Sequence, residues 1–442
     1  MGGKQEMKKK LRKLTALALS TFLLTTGCSA TNDSDSKDEK TAKEVKGEIT
    51  FSTWGSLEEK KVNEEIIKLF EEKHPGTKVN LTYIPEEYTT KIDTMFMGKQ
   101  APDVIYGHPK YFTNWADKGL LMDLTEKFKE NPELMDKDKY SINLYDAFKY
   151  DGKNIATVNG ADTMVIYYNK DLFDKAGVEY PSENWTWDDF REAAKKLTII
   201  GEDGKPKQYG VSINSSYQMA ETFMFANGGE WFDDMNNPKE VRFNSPENIE
   251  ALTIMQDLIF KDKGAPTSAD EKVLGGGFDA GKIAMTIDGV WSVVYRKNIE
   301  DFGWGIAEVP TTPEREKKIP ALYAGYAISK DTKNPELAWE FAEFMQSDEA
   351  QKLLAGSGLI TVINKKIANS DEALNFKGAP DNHIVRVTTL EKSIHNDAIL
   401  VDWDEILTKV FTPNMDLLIT NKQTPKETAK KIQQGLEQYI GK

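Results

Sequence analysis

Five short segments combine aromatic rings with hydrogen-bonding groups: Trp54-Gly55-Ser56, Pro85-Glu86-Glu87-Tyr88, Tyr106-Gly107-His108, Asn214 to Tyr217, and Asp288-Gly289-Val290-Trp291. An aromatic face packs on the C–H side of a pyranose, while carboxylates, amides and backbone groups take its hydroxyls. The mixture suits sugars. Trp54, Glu86, Tyr88, His108, Tyr217, Asp288 and Trp291 are therefore candidate ligand contacts. Asp162 joins them as a partner for hydroxyls, and Trp231, just after Asn227-Gly228-Gly229, as a cleft wall. Each of these three acids and rings has a plainer reading. An aspartate at a strand end, as at Asp162 and Asp288, often only caps the next turn, and Trp231 could cap a helix end. Trp187 and Trp339 lie inside helical patterns and read as core, while Trp185 and Trp304 stay open.

Positioning such segments is the work of strands and helices. Glu48 to Trp54 alternates apolar and smaller polar residues, a strand pattern; Val79, Leu81 and Tyr83 mark a second strand, and Pro102 to Tyr106 a third. Between them, Ser56 with Glu59 reads as a capping box opening a helix that carries Val62, Ile66, Leu69 and Phe70, and Tyr88 to Met97 reads as another helix. Strand–helix–strand–helix–strand predicts a parallel sheet with right-handed crossovers. Further strands are expected at Met164 to Tyr168, Val211 to Asn214, Ile283 to Asp288 and Tyr326 to Ser329. Thr186 with Asp189, Asn334-Pro335, and Thr424-Pro425 with Glu427 open helices, the last running through Tyr439. Asp151-Gly152 and Asp203-Gly204 read as hairpin turns. In open parallel sheets, ligands sit beyond the carboxyl ends of the strands, and the five segments leave those ends.

Composition removes several classes of function. The 442 residues carry 57 Lys and Arg against 71 Asp and Glu, a formal net charge of −14. Beyond residue 27 the balance is 51 basic against 70 acidic, or −19, with no basic block. Nucleic acid and anionic head groups are poor partners for such a surface. The one cysteine excludes an intramolecular disulfide and a cysteine-based zinc site. Four histidines (His74, His108, His383, His395) show no H-E-x-x-H spacing, so no metal site is expected. Gly276 to Ile283 nearly matches a phosphate-binding loop, but Ile283 stands where Ser or Thr must hold magnesium. The segment reads instead as a helix ending before a strand. No cofactor is expected.

The N-terminus carries an address. Lys8, Lys9, Lys10, Arg12 and Lys13 precede the uncharged run Leu14 to Thr26, which Gly27-Cys28 follows. The run is too short for a membrane span and has the layout of a secretory signal. A small residue before a lone cysteine points to a lipoprotein signal, residues 1–27, with Cys28 acylated as the mature N-terminus. Thr25 departs from the leucine usual at that position, and Met7 offers a more typical start than Met1. Residues 28–46 are rich in Ser, Thr, Asp, Glu and Lys and are expected to be a disordered tether. The protein is thus expected on the extracellular face of the cell membrane, lipid-anchored. The body from Gly47 to Lys442 exceeds one typical core and implies two lobes.

Tyr167-Tyr168-Asn169-Lys170-Asp171-Leu172-Phe173, Thr186-Trp187-Asp188-Asp189-Phe190, Asn227-Gly228-Gly229, Phe278 to Met285, Asn334 to Trp339 and Glu349-Ala350-Gln351 occur in an order that carries a resemblance. Together they resemble the carbohydrate-binding lipoproteins of ABC importers, the extracellular solute-binding family that includes maltose-binding protein. The resemblance covers nearly the whole mature body. It implies a two-lobed, periplasmic-binding-protein-like α/β fold of type II, with a three-crossing hinge, closing on a sugar like a flytrap. The implied crossings lie near Asn159, Tyr323 to Tyr326, and Ala368 to Asn375. The lobes would be 47–159 plus 325–368, and 160–324 plus 369–442. It also implies ligand contacts at Trp54, His108, Tyr217, Trp291 and Trp403, with Tyr323 at the second crossing and Glu58, Lys110 and Tyr111 as secondary candidates in loops where family members differ.

Two functions fit these residues. One is a high-affinity receptor that captures a sugar or oligosaccharide and delivers it, as a monomer, to the transmembrane subunits of an ABC permease. The other is a secreted glycoside hydrolase, which needs only two carboxylates placed across a bond, about 5–10 Å apart. No catalytic signature accompanies the many acids, and the motif order favours the receptor.

Overall fold

In the computed structural model, which describes residues 45–235, 238–395 and 400–440, Gly47–Thr53 runs parallel to Thr77–Tyr83 from Gly47↔Thr77 to Thr53↔Tyr83. Its other edge pairs in parallel with Val104–Gly107 at Phe51↔Val104 and Ser52↔Ile105. The crossovers are the helices Leu57–Lys73 and Tyr88–Met97, so the first three strands form the parallel unit their alternation predicts. Ile49 and Phe51 point into the core, where the Phe51 ring lies edge-on to Phe341 and Tyr326. The signal segment, Cys28 and the tether through residue 44 lie outside the described residues.

Beyond the third strand the parallel reading fails. Ile319–Ile328 enters antiparallel beside Val104–Gly107, and its opposite edge pairs antiparallel with Thr157–Asn169. That strand is thirteen residues long and buried throughout, of which the sequence signals only Met164 to Tyr168. Burial on both faces removes the period-two alternation that marks a half-exposed strand. Its second half pairs antiparallel with Ile283–Gly289 and Trp304–Ala307, and Pro206–Ser212 closes on Ile283–Gly289 in parallel. The result is one mixed sheet of eleven strands among the described residues.

This sheet feeds two large hydrophobic cores. Phe51, Phe70, Phe112, Phe148 and Phe341 belong to one; Phe173, Phe190, Phe223, Trp403 and Phe411 belong to the other. The long strand passes between them, giving Val158 and Ala161 to the first and Met164 and Ile166 to the second. Ile319–Ile328 does the same, with Tyr323 and Ala324 in the first and Leu322 in the second.

Helix starts follow their caps. Thr186 with Asp189 and Thr424 with Glu427 form reciprocal capping boxes, while the final helix, Pro425–Leu436, stops short of Tyr439. Asp151-Gly152 turns between Lys149–Tyr150 and Lys153–Asn154, as its sequence predicts. Trp187 stacks on Phe223 at 4.3 Å, Trp339 lies edge-on to Phe128, and Trp304 packs beside Tyr167. The glycine-rich run at 276–283 follows the helix Ser268–Leu274 and leads into the strand at Ile283, with no helix opening behind it. Among the described residues, no helix is long and apolar enough to cross a membrane.

Candidate functional site

A cavity of about 520 Å³ opens at the ends of these strands, within the range typical of small-molecule sites. Trp54, Tyr88, His108, Asp162, Tyr217 and Trp291, chosen from sequence, all line it. Trp54 is the hub of one wall. Its ring centroid lies 4.7 Å from Tyr88, 4.5 Å from Tyr106, 5.1 Å from His108 and 6.4 Å from Tyr111. Tyr88 is fixed in turn, its hydroxyl meeting the Ser52 hydroxyl at 2.8 Å and donating to the Tyr106 carbonyl at 2.8 Å. These bonds hold the rings in one arrangement before any ligand arrives.

His108 contributes an acceptor. Its Nδ1–H donates to the Tyr323 carbonyl, which leaves Nε2 as the acceptor of the neutral ring. Burial, reinforced by Lys110, pushes its pKa down to about 4 against the pull of the Tyr323 carbonyl. The ring is therefore uncharged at neutral pH. Lys110 stands behind this wall, 6% exposed, with Nζ donating to the Tyr217 hydroxyl at 2.7 Å. That bond links the helix Pro109–Asp117, which packs in the first core, to Tyr217, which packs against the second.

Asp162 lies on the long strand where it passes from one core to the other. Its Oδ1 accepts from Thr361 N at 3.0 Å, from Thr361 Oγ1 at 2.7 Å and from Arg386 Nη2 at 3.4 Å. Burial pushes its carboxyl above the usual range, with Arg386 and Thr361 pulling the other way. Trp291 projects from the short turn after Ile283–Gly289, and a Cβ at Gly289 would overlap its indole. Gly289 has an ordinary φ of −69°, so its role is to make room for the ring.

The family profile described as "Bacterial extracellular solute-binding protein" matches residues 54–352. The chain belongs to that family. Among curated relatives, the arabinooligosaccharide-binding protein of Bacillus subtilis (strain 168) is 28% identical over 364 residues, 78% of this chain and 79% of the relative. Among solved structures, the ABC substrate-binding protein Lmo0181 from Listeria monocytogenes, in complex with cycloalternan, is 31% identical. Its TM-score is 0.78, over 89% of this chain and 98% of the Listeria one. The GacH receptor of Streptomyces glaucescens GLA.O is 20% identical with a TM-score of 0.76, over 90% and 99% of the two chains, a likeness of fold. The two-lobed α/β architecture of sugar-binding receptors is thus the fold of this solute-binding protein.

Six sequence candidates of the solute-binding protein fall outside the cavity, each for a physical reason. Trp231 and Trp403 are 0% and 2% exposed, their rings 5.2 Å apart in the second core. Tyr323 is buried in the first core, and its carbonyl, not its ring, serves the site through His108. Asp288 caps the turn after its strand, accepting from Gly289 N and Ser292 Oγ and forming an ion pair with Arg296 at 2.9 Å, and so orients Tyr295 through Ser292. Glu86 is exposed beside the mouth. Glu58 points away from the cavity because its neighbour Glu59 faces in, and successive helical residues diverge by roughly 100°.

Several lining residues went unseen. Tyr295 brings a phenol, Gln218 an amide, and Leu322, Ala324, Leu359 and Ile360 an apolar floor, while Tyr106 adds a phenol from a segment that the sequence singles out. Tyr111, a secondary candidate, lines the cavity, whereas Lys110 does not. Glu59 is the most consequential omission. Ser56 Oγ accepts its N–H at 3.2 Å, as the capping-box reading expects, yet its carboxylate also faces the cavity.

Proposed function

We propose that this solute-binding protein captures a neutral oligosaccharide between its lobes and delivers it to an ABC permease. The observation that carries the proposal is the wall built on Trp54, with Trp291 and Tyr217 as further aromatic lining and His108, Asp162, Glu59 and Gln218 as hydrogen-bonding partners. Apolar rings take the C–H faces of a sugar and the polar groups take its hydroxyls. The cycloalternan bound by the Listeria relative and the arabinooligosaccharides named for the Bacillus one support a ligand longer than a monosaccharide. The proposed lobes are 47–159 plus 325–368 and 160–324 plus 369–442, hinged near Asn159, Tyr323 to Tyr326 and Ala368 to Asn375, with the hinge residues Ala161, Tyr323 and Ala324 packing in the first core. Ligand contacts from both sides favour the closed arrangement through their differential affinity for it.

Calorimetric titration with cycloalternan, maltotriose and arabinotriose tests the reading. Saturable binding with the saccharide recovered intact supports a receptor; release of new reducing ends would establish the hydrolase instead. Trp291→Ala is expected to weaken binding about 5- to 150-fold, corresponding to roughly 1–3 kcal/mol for a lost ring platform, with a cooperative melt near the wild-type temperature. A large drop in melting temperature with affinity intact would make Trp291 a packing residue.

The proposal includes the membrane anchor. Cys28, lipid-modified and N-terminal in the mature chain, tethers a monomeric receptor to the outer face of the cell membrane. Cys28→Ser is expected to release the protein into the medium or to leave an uncut precursor. A variant retained in the membrane fraction with unchanged mass would exclude the anchor.

A further inference from the structure

Among the described residues, the arginines and aspartates around the cavity are ion-paired, and Lys110 is engaged by the Tyr217 hydroxyl. Arg386 meets Asp162, and Arg296 sits between Asp279 at 2.8 Å and Asp288 at 2.9 Å. Glu59 makes no ion pair among the described residues, and the charged neighbour acting on it is Glu58, of its own sign. The backbone leaves room for this carboxylate. Gly55 has φ +110°, a conformation side chains rarely adopt, and a Cβ there would overlap the Glu59 carboxylate. The Gly55 carbonyl is fixed by the Tyr83 hydroxyl at 2.6 Å, and Ser56 Oγ pins the Glu59 backbone. A half-buried carboxylate is thus seated in a cradle, faces the ligand space and lacks a cation.

We propose that Glu59 selects the ligand: its ionised carboxylate accepts saccharide hydroxyls, it gives up a proton to solvent as it does so, and it turns away sugars that carry carboxylate, phosphate or sulfate. The proposal rests on the cleft being a saccharide site. A carboxylate offers about four acceptor positions, which saccharide hydroxyls can fill. Burial pushes Glu59 up to about 7, against the Ser56 N–H and with Glu58 adding to the rise. Hydroxyl donors favour the charged form and lower that pKa in the complex. Affinity therefore rises with pH through neutrality and levels off above it. An anionic sugar brings a like charge to a carboxylate that makes no ion pair among the described residues, while Lys110 behind the wall is engaged by the Tyr217 hydroxyl.

Other groups facing Glu59 do not supply this dependence. On its own helix, Glu58 flanks it and Lys60 lies over the Tyr83 ring. From the strands, Tyr106 is pushed up by burial and by Glu59 itself. Burial also raises Asp162, against Arg386 and Thr361, so the slope is assigned to Glu59 by its loss in Glu59→Gln, a variant that leaves Asp162 in place. His108 is neutral well below the range concerned. The short helix Val293–Arg296 brings Tyr295 and Arg296, and Lys297 after it donates to the Ser357 carbonyl.

Calorimetry with cycloalternan and maltotriose at about pH 6, 7 and 8, in phosphate and in Tris, tests the proposal. Wild type is expected to bind about tenfold tighter at pH 8 than at pH 6, with heats that differ between buffers as a proton is released. Glu59→Gln is expected to bind about 10- to 100-fold more weakly at pH 8, with a flat pH profile and buffer-independent heats. Glu59→Asp keeps the charge and should keep the slope at reduced affinity, which separates ionisation from folding. A flat wild-type profile, a slope retained by Glu59→Gln, or trigalacturonate binding as tightly as maltotriose would overturn the inference while leaving the receptor in place. Absence of binding to every saccharide at every pH would overturn the receptor reading, and this inference with it.

Discussion

Trp231→Ala is expected to cost about 3–5 kcal/mol of stability and to leave saccharide affinity within about twofold of wild type, because the change opens a cavity in a packed core. The indole has no exposed surface and is enclosed by Phe243 at 4.9 Å, Trp403 at 5.2 Å and Phe411 at 5.2 Å. Phe243 comes from a turn and Trp403 and Phe411 from one helical stretch, so they cannot fill the space without moving that stretch against the turn. Tilted and edge-on ring pairs of this kind add to the burial they accompany. Urea unfolding followed by circular dichroism measures the loss, and calorimetry measures the affinity. Trp403→Ala should behave alike, since it shares the cluster. An affinity loss beyond tenfold with the unfolding midpoint unchanged would put Trp231 back on the cleft wall. The contrast with Trp291→Ala is diagnostic: one tryptophan carries the fold, the other carries the ligand.

Why the sequence separates some of these tryptophans and not others has a physical answer. Trp187 and Trp339 sit on helices whose 3.6-residue spacing already assigns a buried face, and both are core. Trp231 lies outside any helix or strand, and contact with distant residues such as Phe411 decides it. Trp403 opens a helical stretch where Ile406, Leu407 and Phe411 share its buried face, a period that the family position overrode. Trp54, His108, Tyr217 and Trp291 are legible because strand ends point at ligand space, a rule about topology that survives errors in strand length. The thirteen-residue strand Thr157–Asn169 was half read because burial on both faces erases alternation. Glu59 stayed hidden for a different reason. A residue with one adequate explanation, the capping box, gave no signal of a second role, and only the overlap with Gly55 and the missing cation reveal it. The apolar floor of Leu322, Ala324, Leu359 and Ile360 has no chemical signature to read.

The second large effect is expected at Arg386. Its guanidinium is 3% exposed and reaches Asp162 at 3.4 Å, Thr361 Oγ1 at 2.9 Å and His383 Nε2 at 3.3 Å. All four groups are buried where the long strand meets Thr361–Val362 and the helix Val385–Glu391. Arg386→Met keeps much of the side-chain volume and removes the charge, so Asp162 is left buried without its cation, at a cost of about 3–5 kcal/mol near pH 8. The sign of the pH dependence follows from the carboxyl. Burial already holds the Asp162 pKa above its usual range in the folded protein, and loss of Arg386 raises it further. A carboxyl with a raised folded pKa binds more protons folded than unfolded, so stability falls as pH rises through the window between the two values. The variant should therefore be less impaired at about pH 5, where Asp162 can take up a proton, than at pH 8. His383, pushed down to about 3 by burial and by Arg386, lowers stability in acid in the wild type; relief from Arg386 softens that in the variant and works in the same direction. Asp162→Asn in the Arg386→Met background removes the stranded charge and should recover much of the loss at pH 8, a coupling that a double-mutant cycle reads directly. Equal destabilisation at both pH values, with no recovery in the double variant, would show that Arg386 acts by packing alone.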